Sequence, residues 1–182
     1  MSPSVGYRPL VLDDIPELRE LQRTLFPVQY GDSFYTKLLS PGYYCLVGVT
    51  AAGELVAVAS ARVIRPEEAN ETQAAHEAYI MTLGVKESYR RHHLGTEIME
   101  LILQLLRRET ACDYATLHVK SINAAAVGFY ERMGFTCDPM DGFLENHYYI
   151  DGQHWHAYRY TRSLRHPLYA FVRDLRASCS VL

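Results

Sequence analysis

A chain of 182 residues that is 48% hydrophobic and 21% charged, with a formal net charge of −3, fits one soluble globular domain with a full core of its own. No run of 18 apolar residues occurs, which excludes a membrane-spanning helix, and residues 1–12 lack the basic and apolar regions of a secretory signal, so a cytoplasmic protein is expected. The four cysteines, Cys45, Cys112, Cys137 and Cys179, are far apart with no C-x-x-C pair, which argues against a disulfide framework and a cysteine zinc site.

Residues 7–12 (YRPLVL) read as a strand, and Asp13 or Asp14 can cap a helix with Ile15, Leu18, Leu21 and Leu25 on one face. Pro27 ends that helix, because the residue before a proline is pushed out of the helical region, and a second short helix follows Asp32. Residues 43–50 and 55–65 are apolar strands joined by the turn AAGE, and the polar stretch 66–77 is a loop. Residues 78–85 (AYIMTLGV) form an apolar strand. A helix follows, with Leu94, Ile98, Leu101, Ile102, Leu105 and Leu106 at helical spacing. Residues 114–121 are a strand and 123–133 a helix. GFT and the Tyr- and His-rich segment 145–162 are late strands, and 167–178 reads as a final short helix. This order implies the α/β (α+β) class, with a mixed sheet covered by helices.

Between the strand 78–85 and its helix lies SYRRHHLGT, residues 88–96. A helix N-terminus offers unpaired N–H groups and the positive end of the helix dipole, and phosphates bind there. Arg90 and Arg91 add charge that suits a pyrophosphate; a solvated, basic helix start is the plainer alternative. A Rossmann turn needs several glycines where only Gly95 is present, and a Walker A lysine is absent.

YIMTLGVKESYRRHHLGT, LHV, Asn123 and GFYERMGF occur in that order. Together they resemble the GNAT family of N-acetyltransferases. Arg90-Arg91-His92-His93-Leu94-Gly95 is similar to that family's acetyl-CoA pyrophosphate signature, Q/R-x-x-G-x-G/A, with His93 at the first glycine. That position asks for a left-handed backbone, which is easiest for glycine, although histidine is among the residue types enriched there. The resemblance covers roughly residues 7–162. It implies the GNAT acyl-CoA N-acyltransferase fold, a central, mostly antiparallel sheet flanked by helices. It also implies acetyl-CoA as co-substrate, held by Leu83, Gly84, Val85, the turn from Arg90 to Thr96, Asn123 and Tyr130. Within the family, FPVQY, DSFY, YIMTLGV and LHV are similar to the catalytic subunits of NatE-type and NatF-type N-terminal acetyltransferases, and the HPLYAF segment favours NatF. That likeness implies acceptors beginning with Met and a hydrophobic or amphipathic second residue.

Tyr79 and His118 lie on strands expected to be neighbours, and a histidine titrates near neutrality, as a general base should. A lone histidine on an apolar strand is more often a satisfied core residue; the resemblance implies instead that the pair removes the acceptor's proton through a water. It further implies that the backbone of Leu83–Val85 faces the acetyl carbonyl, where two strands splay, and that Tyr130 lies near the CoA sulfur. Asn123 can also simply cap its helix, and Tyr130 can simply be a core aromatic. By the same resemblance Phe26, Pro27, Val28 and Tyr30 line one wall of the acceptor groove and Met81, Tyr148, Tyr149 and Ile150 the other; a half-buried strand is the plain reading of HYYI. HWH at 154–156 puts two histidines on one strand face with no third ligand, so no metal is expected. A lysine or small-amine acetyltransferase and a non-catalytic acyl-CoA-binding protein stand as alternatives.

From Arg159 onward the chain carries five arginines and one aspartate, a charge of +4 against −7 on the rest. Leu168, Phe171, Val172 and Leu175 form one helical stripe with Arg173 and Arg176 beside it. A catalytic domain at 1–163 with a basic amphipathic extension at 164–182 is expected, the extension binding peripherally to an anionic membrane on its cytosolic face. Packing of the stripe on the core is the alternative. Nothing points to nucleic acid.

Overall fold

The computed structural model describes residues 4–64, 77–138 and 140–165. Its centre is one eight-stranded sheet. β1 (Val5–Pro9), β2 (Tyr43–Thr50), β3 (Leu55–Val63) and β4 (Glu77–Val85) pair antiparallel in sequence order. β5 (Tyr114–Lys120) joins β4 in parallel and pairs antiparallel with β8 (Gln153–Ser163). β6 (Thr136–Cys137) and β7 (Phe143–Ile150) pair with β8 as well. α1 (Ile15–Leu25) and α2 (Asp32–Lys37) cover one face of the sheet; α3 (Leu94–Glu109) and α4 (Ala124–Arg132) cover the other.

Two apolar clusters explain this arrangement. Leu18, Leu21, Tyr35 and Leu38 pack on Cys45, Val47 and Val58, whereas Ile98, Met99, Ile102, Leu103 and Leu106 pack on Leu46, Ala57 and Ala59. Alternate residues of β2 and β3 thus serve opposite cores, which is why both strands read as continuous apolar runs.

The first strand lies earlier than 7–12. Leu12–Asp14 is a single 3-10 turn. Asp14 makes no side-chain cap for α1; its carboxylate accepts two hydrogen bonds from Arg8, at 2.6 and 2.8 Å, and the Val11 N–H at 2.9 Å. The segment 145–162 is a hairpin, turned at Asp151 and Gly152 with φ of 53° and 76°. Positive φ at both central residues is what a tight hairpin turn demands, and Asp-Gly supplies it. Three arginines counted with the basic tail are tied into the domain: Arg159 to Glu77 at 2.8 Å, Arg162 to Glu100 at 2.9 Å, and Arg165 to Asp113. Leu164 is buried, and its N–H donates to the Asp113 carbonyl at 2.8 Å. The expected loop, except Glu77, and the expected final helix at 167–178 lie outside the described residues.

Candidate active site

β4 and β5 pair only from Glu77↔Tyr114 to Tyr79↔Thr116. Beyond that point β4 continues to Val85 along β3 alone, with a bulge at Met81, so its other edge faces an opening between the two strands. By strand geometry, the backbone N–H and C=O groups of Leu83 and Val85 point into that opening, whereas those of Gly84 face β3. Gly84 lets the end of α1 sit directly on the strand: a Cβ there would lie 2.7 Å from Leu25 Cδ1 and 3.1 Å from Phe26 Cζ.

The chain then turns through Glu87–Tyr89 into α3. Arg91 and His93 both adopt left-handed backbone, His93 at φ 63°, ψ 4°. The imidazole therefore stands where the expected glycine conformation is required. Arg90 folds back, its Nε donating to the Val85 carbonyl at 3.1 Å, while Arg91, His92 and His93 are exposed. The Glu97 N–H closes the first helical bond on His93 at 3.0 Å, so the N–H groups of Leu94, Gly95 and Thr96 have no intrahelical partner. Free N–H groups, a helix dipole and two arginines make a donor set that fits the pyrophosphate of acetyl-CoA. Asn123 Oδ1 accepts the Ala126 N–H at 3.2 Å and so caps α4.

At the point where β4 and β5 part, the Tyr79 hydroxyl lies 3.2 Å from His118 Nδ1. Burial first, then the neighbouring His147 and Arg159, push His118 down to about 4, so its imidazole is neutral at physiological pH. Burial raises Tyr79 and takes Tyr130 up to about 12, so both keep their protons. Burial also raises Tyr148, with smaller contributions from Tyr79, Tyr130 and Tyr30. A neutral imidazole beside protonated phenols can accept a proton on one side and donate one on the other.

Of the residues expected to line the acceptor groove, Phe26 meets Tyr30 edge-on at 6.1 Å, Met81 packs against the same cluster, and Tyr148 is half-buried with its ring against His147. Tyr149 does not join them: it is 68% exposed, with its ring 5.0 Å from His154 across the hairpin. Pro27 and Val28 are exposed at the rim, and Ile150 sits half-buried at the hairpin turn. His147, which sequence reasoning passed over, has its ring 4.3 Å from that of His118. The three consecutive aromatic-type residues in HYY, which place such rings on both faces of a strand, were the available signal. In HWH, His156 Nδ1 is occupied by the Asn146 N–H at 3.1 Å. No group of three metal-ligating side chains occurs among the described residues.

The Acetyltransferase (GNAT) family model matches residues 15–135. The chain belongs to the GNAT acetyltransferase family. As a GNAT acetyltransferase it uses acetyl-CoA. Among curated relatives, the histone acetyltransferase MCC1 of Arabidopsis thaliana is 24% identical over 200 aligned positions, spanning 100% of this chain and 76% of that protein. The N-alpha-acetyltransferase 50 of Danio rerio is 32% identical over 123 positions, covering 67% and 68% of the two chains. Arabidopsis thaliana NAA60, solved with a bisubstrate analogue, shares the fold with a TM-score of 0.78 at 23% identity, over 89% of this chain and 100% of that one. Arabidopsis thaliana Naa50, solved with the bisubstrate analogue CoA-Ac-MVNAL, does so with a TM-score of 0.71 at 23% identity, over 88% and 99%.

Proposed function

We propose that this GNAT enzyme is a protein N-terminal α-acetyltransferase for acceptors beginning with Met and a hydrophobic or amphipathic residue, a NatF-like specificity. The observation that carries the reading is the Tyr79 hydroxyl 3.2 Å from His118 Nδ1 at the mouth of the β4–β5 opening, beside an aromatic and apolar wall of Phe26, Tyr30, Met81 and Tyr148. An α-ammonium has a pKa near 8 and must lose one proton before its nitrogen can attack. His118, neutral and half-buried, takes that proton through a water, with Tyr79 orienting the imidazole. Acetyl-CoA supplies an acetyl thioester; Leu83, Gly84, Val85, the turn from Arg90 to Thr96 and Asn123 hold it. The backbone N–H groups of Leu83 and Val85 steady the oxygen on which charge develops. Tyr130 keeps its proton and gives it to the departing sulfur. Phe26, Tyr30, Met81 and Tyr148 form a slot suited to a methionine side chain, with Pro27, Val28 and Ile150 at its rim.

The zebrafish relative named as an N-alpha-acetyltransferase supports this acceptor class. Acetyl transfer to Met-X peptides, with X varied over apolar, basic, acidic and small residues, tests it: turnover highest for hydrophobic and amphipathic X supports the NatF-like reading. A preference confined to internal lysines of histone-tail peptides would favour the second reading, which rests on the relative named as a histone acetyltransferase.

The same reading makes the enzyme peripheral on the cytosolic face of a membrane, through residues 167–182. With Arg159, Arg162 and Arg165 ion-paired inside the domain, only Arg173 and Arg176 add charge to the apolar stripe, each about 1 kcal/mol at an anionic surface. Weak, salt-sensitive pelleting with anionic but not neutral vesicles, lost on deletion of 167–182, is the expected result; pelleting unchanged by the deletion contradicts it.

A further inference from the structure

β7 is irregular at its centre. Leu144 lies opposite Ala157 and Tyr148 opposite Trp155, so Glu145, Asn146 and His147 together face the single residue His156. Bulges of this kind re-aim side chains and recur beside active sites. Asn146 takes a φ of 50°, a conformation asparagine tolerates, and its N–H donates to His156 Nδ1 at 3.1 Å, which pins the bulge. In a regular strand His147 and Tyr148 would face opposite sides of the sheet. Here both turn the same way. The His147 ring meets that of His118 at 4.3 Å and 68°, and that of Tyr148 at 4.8 Å and 79°.

We propose that His147 is a positioning residue for acetyl transfer: its ring packs edge-on against His118 and holds the imidazole with Nδ1 on the Tyr79 hydroxyl. This inference rests on the reading that Tyr79 and His118 handle the acceptor's proton. The χ2 rotation of a histidine is broad, so the direction in which its nitrogens point is set by what surrounds the ring. His118 has Tyr79 on one side, from β4. Arg159 lies directly across from it on β8, but its guanidinium is committed to Glu77 at 2.8 Å. That leaves the edge-to-face contact from β7 to restrain the ring, an arrangement aromatic rings favour.

The test compares His147→Ala, His147→Phe and His118→Ala in the full chain, with kcat and KM for a Met-first peptide at saturating acetyl-CoA. His147 is exposed on the hairpin, and equal melting temperatures confirm that each variant is folded. His147→Ala should lower kcat about 10-fold with an unchanged KM, since a small misplacement of a reacting group costs this much or more. His147→Phe restores an aromatic edge and should bring kcat back to within about twofold of wild type. Wild-type kcat in His147→Ala, or equal losses in the Ala and Phe variants, would overturn the positioning role while His118→Ala remains impaired. Wild-type kcat in His118→Ala would instead overturn the underlying assignment of the proton-handling pair.

Discussion

Acid should destabilise this protein through His118, and the size of the effect follows from its surroundings. In the unfolded chain the imidazole takes up a proton near 6.5; in the folded protein burial, His147 and Arg159 delay uptake until about 4. The unfolded state therefore binds more protons between those values, so stability is complete above about pH 6.5 and falls as the pH drops towards 4. At about 1.4 kcal/mol per pH unit, this one group would remove about 2 kcal/mol between pH 7.5 and pH 5. His118 is not sealed from water, and screening brings the loss nearer about 1 kcal/mol. Urea unfolding at the two pH values, on wild type and His118→Gln, isolates the contribution, because glutamine does not titrate. The wild type should lose about 1–2 kcal/mol more than the variant over this interval. Equal losses would mean that His118 is not held neutral by its environment, and the argument that it enters the reaction as a free base would fail with it.

Three substitutions probe the rest of the site. Tyr79→Phe keeps the ring but removes the hydroxyl on His118, so kcat should fall while acetyl-CoA affinity by calorimetry stays the same; an unchanged kcat removes Tyr79 from the proton path. His93→Gly relieves a left-handed histidine and should raise stability by about 1 kcal/mol with acetyl-CoA affinity retained, whereas a large loss of affinity would mean that the imidazole itself touches the ligand. Gly84→Ala puts a methyl 2.7 Å from Leu25 Cδ1 and should displace Phe26, raising peptide KM. The single tryptophan, Trp155, pairs across the hairpin with Tyr148, a residue proposed to line the acceptor groove, so its fluorescence should report weaker peptide binding in that variant; unaltered binding would show that Phe26 does not contact the acceptor.

Most of the architecture was legible because both periodicities were strong. Ile98, Ile102 and Leu106 mark α3 as a helix, and the apolar runs of β2 and β3 announce strands buried on both faces. The turn at residues 88–96 could be placed at a helix start, but its second left-handed residue, Arg91, could not be foreseen, since nothing in arginine signals that conformation. Asp14 illustrates another limit: an acidic residue before a helix looks like a cap, and only the three-dimensional approach of Arg8 diverts it. The hairpin of β7 and β8 was readable in Asp151-Gly152 yet hidden by the aromatic residues around it. Its bulge breaks the two-residue alternation, so neither the outward turn of Tyr149 nor the approach of His147 to His118 follows from sequence spacing.

The central claim is that the acceptor is a free α-amine delivered to Tyr79 and His118. One measurement addresses it directly: incubate the enzyme with acetyl-CoA and a Met-first peptide that also carries an internal lysine, alongside the same peptide formylated at its N-terminus, and locate the acetyl group by tandem mass spectrometry. The account predicts acetylation on the N-terminal nitrogen of the free peptide and none on the blocked one. Acetyl groups on the lysine of both peptides at similar rates would contradict it.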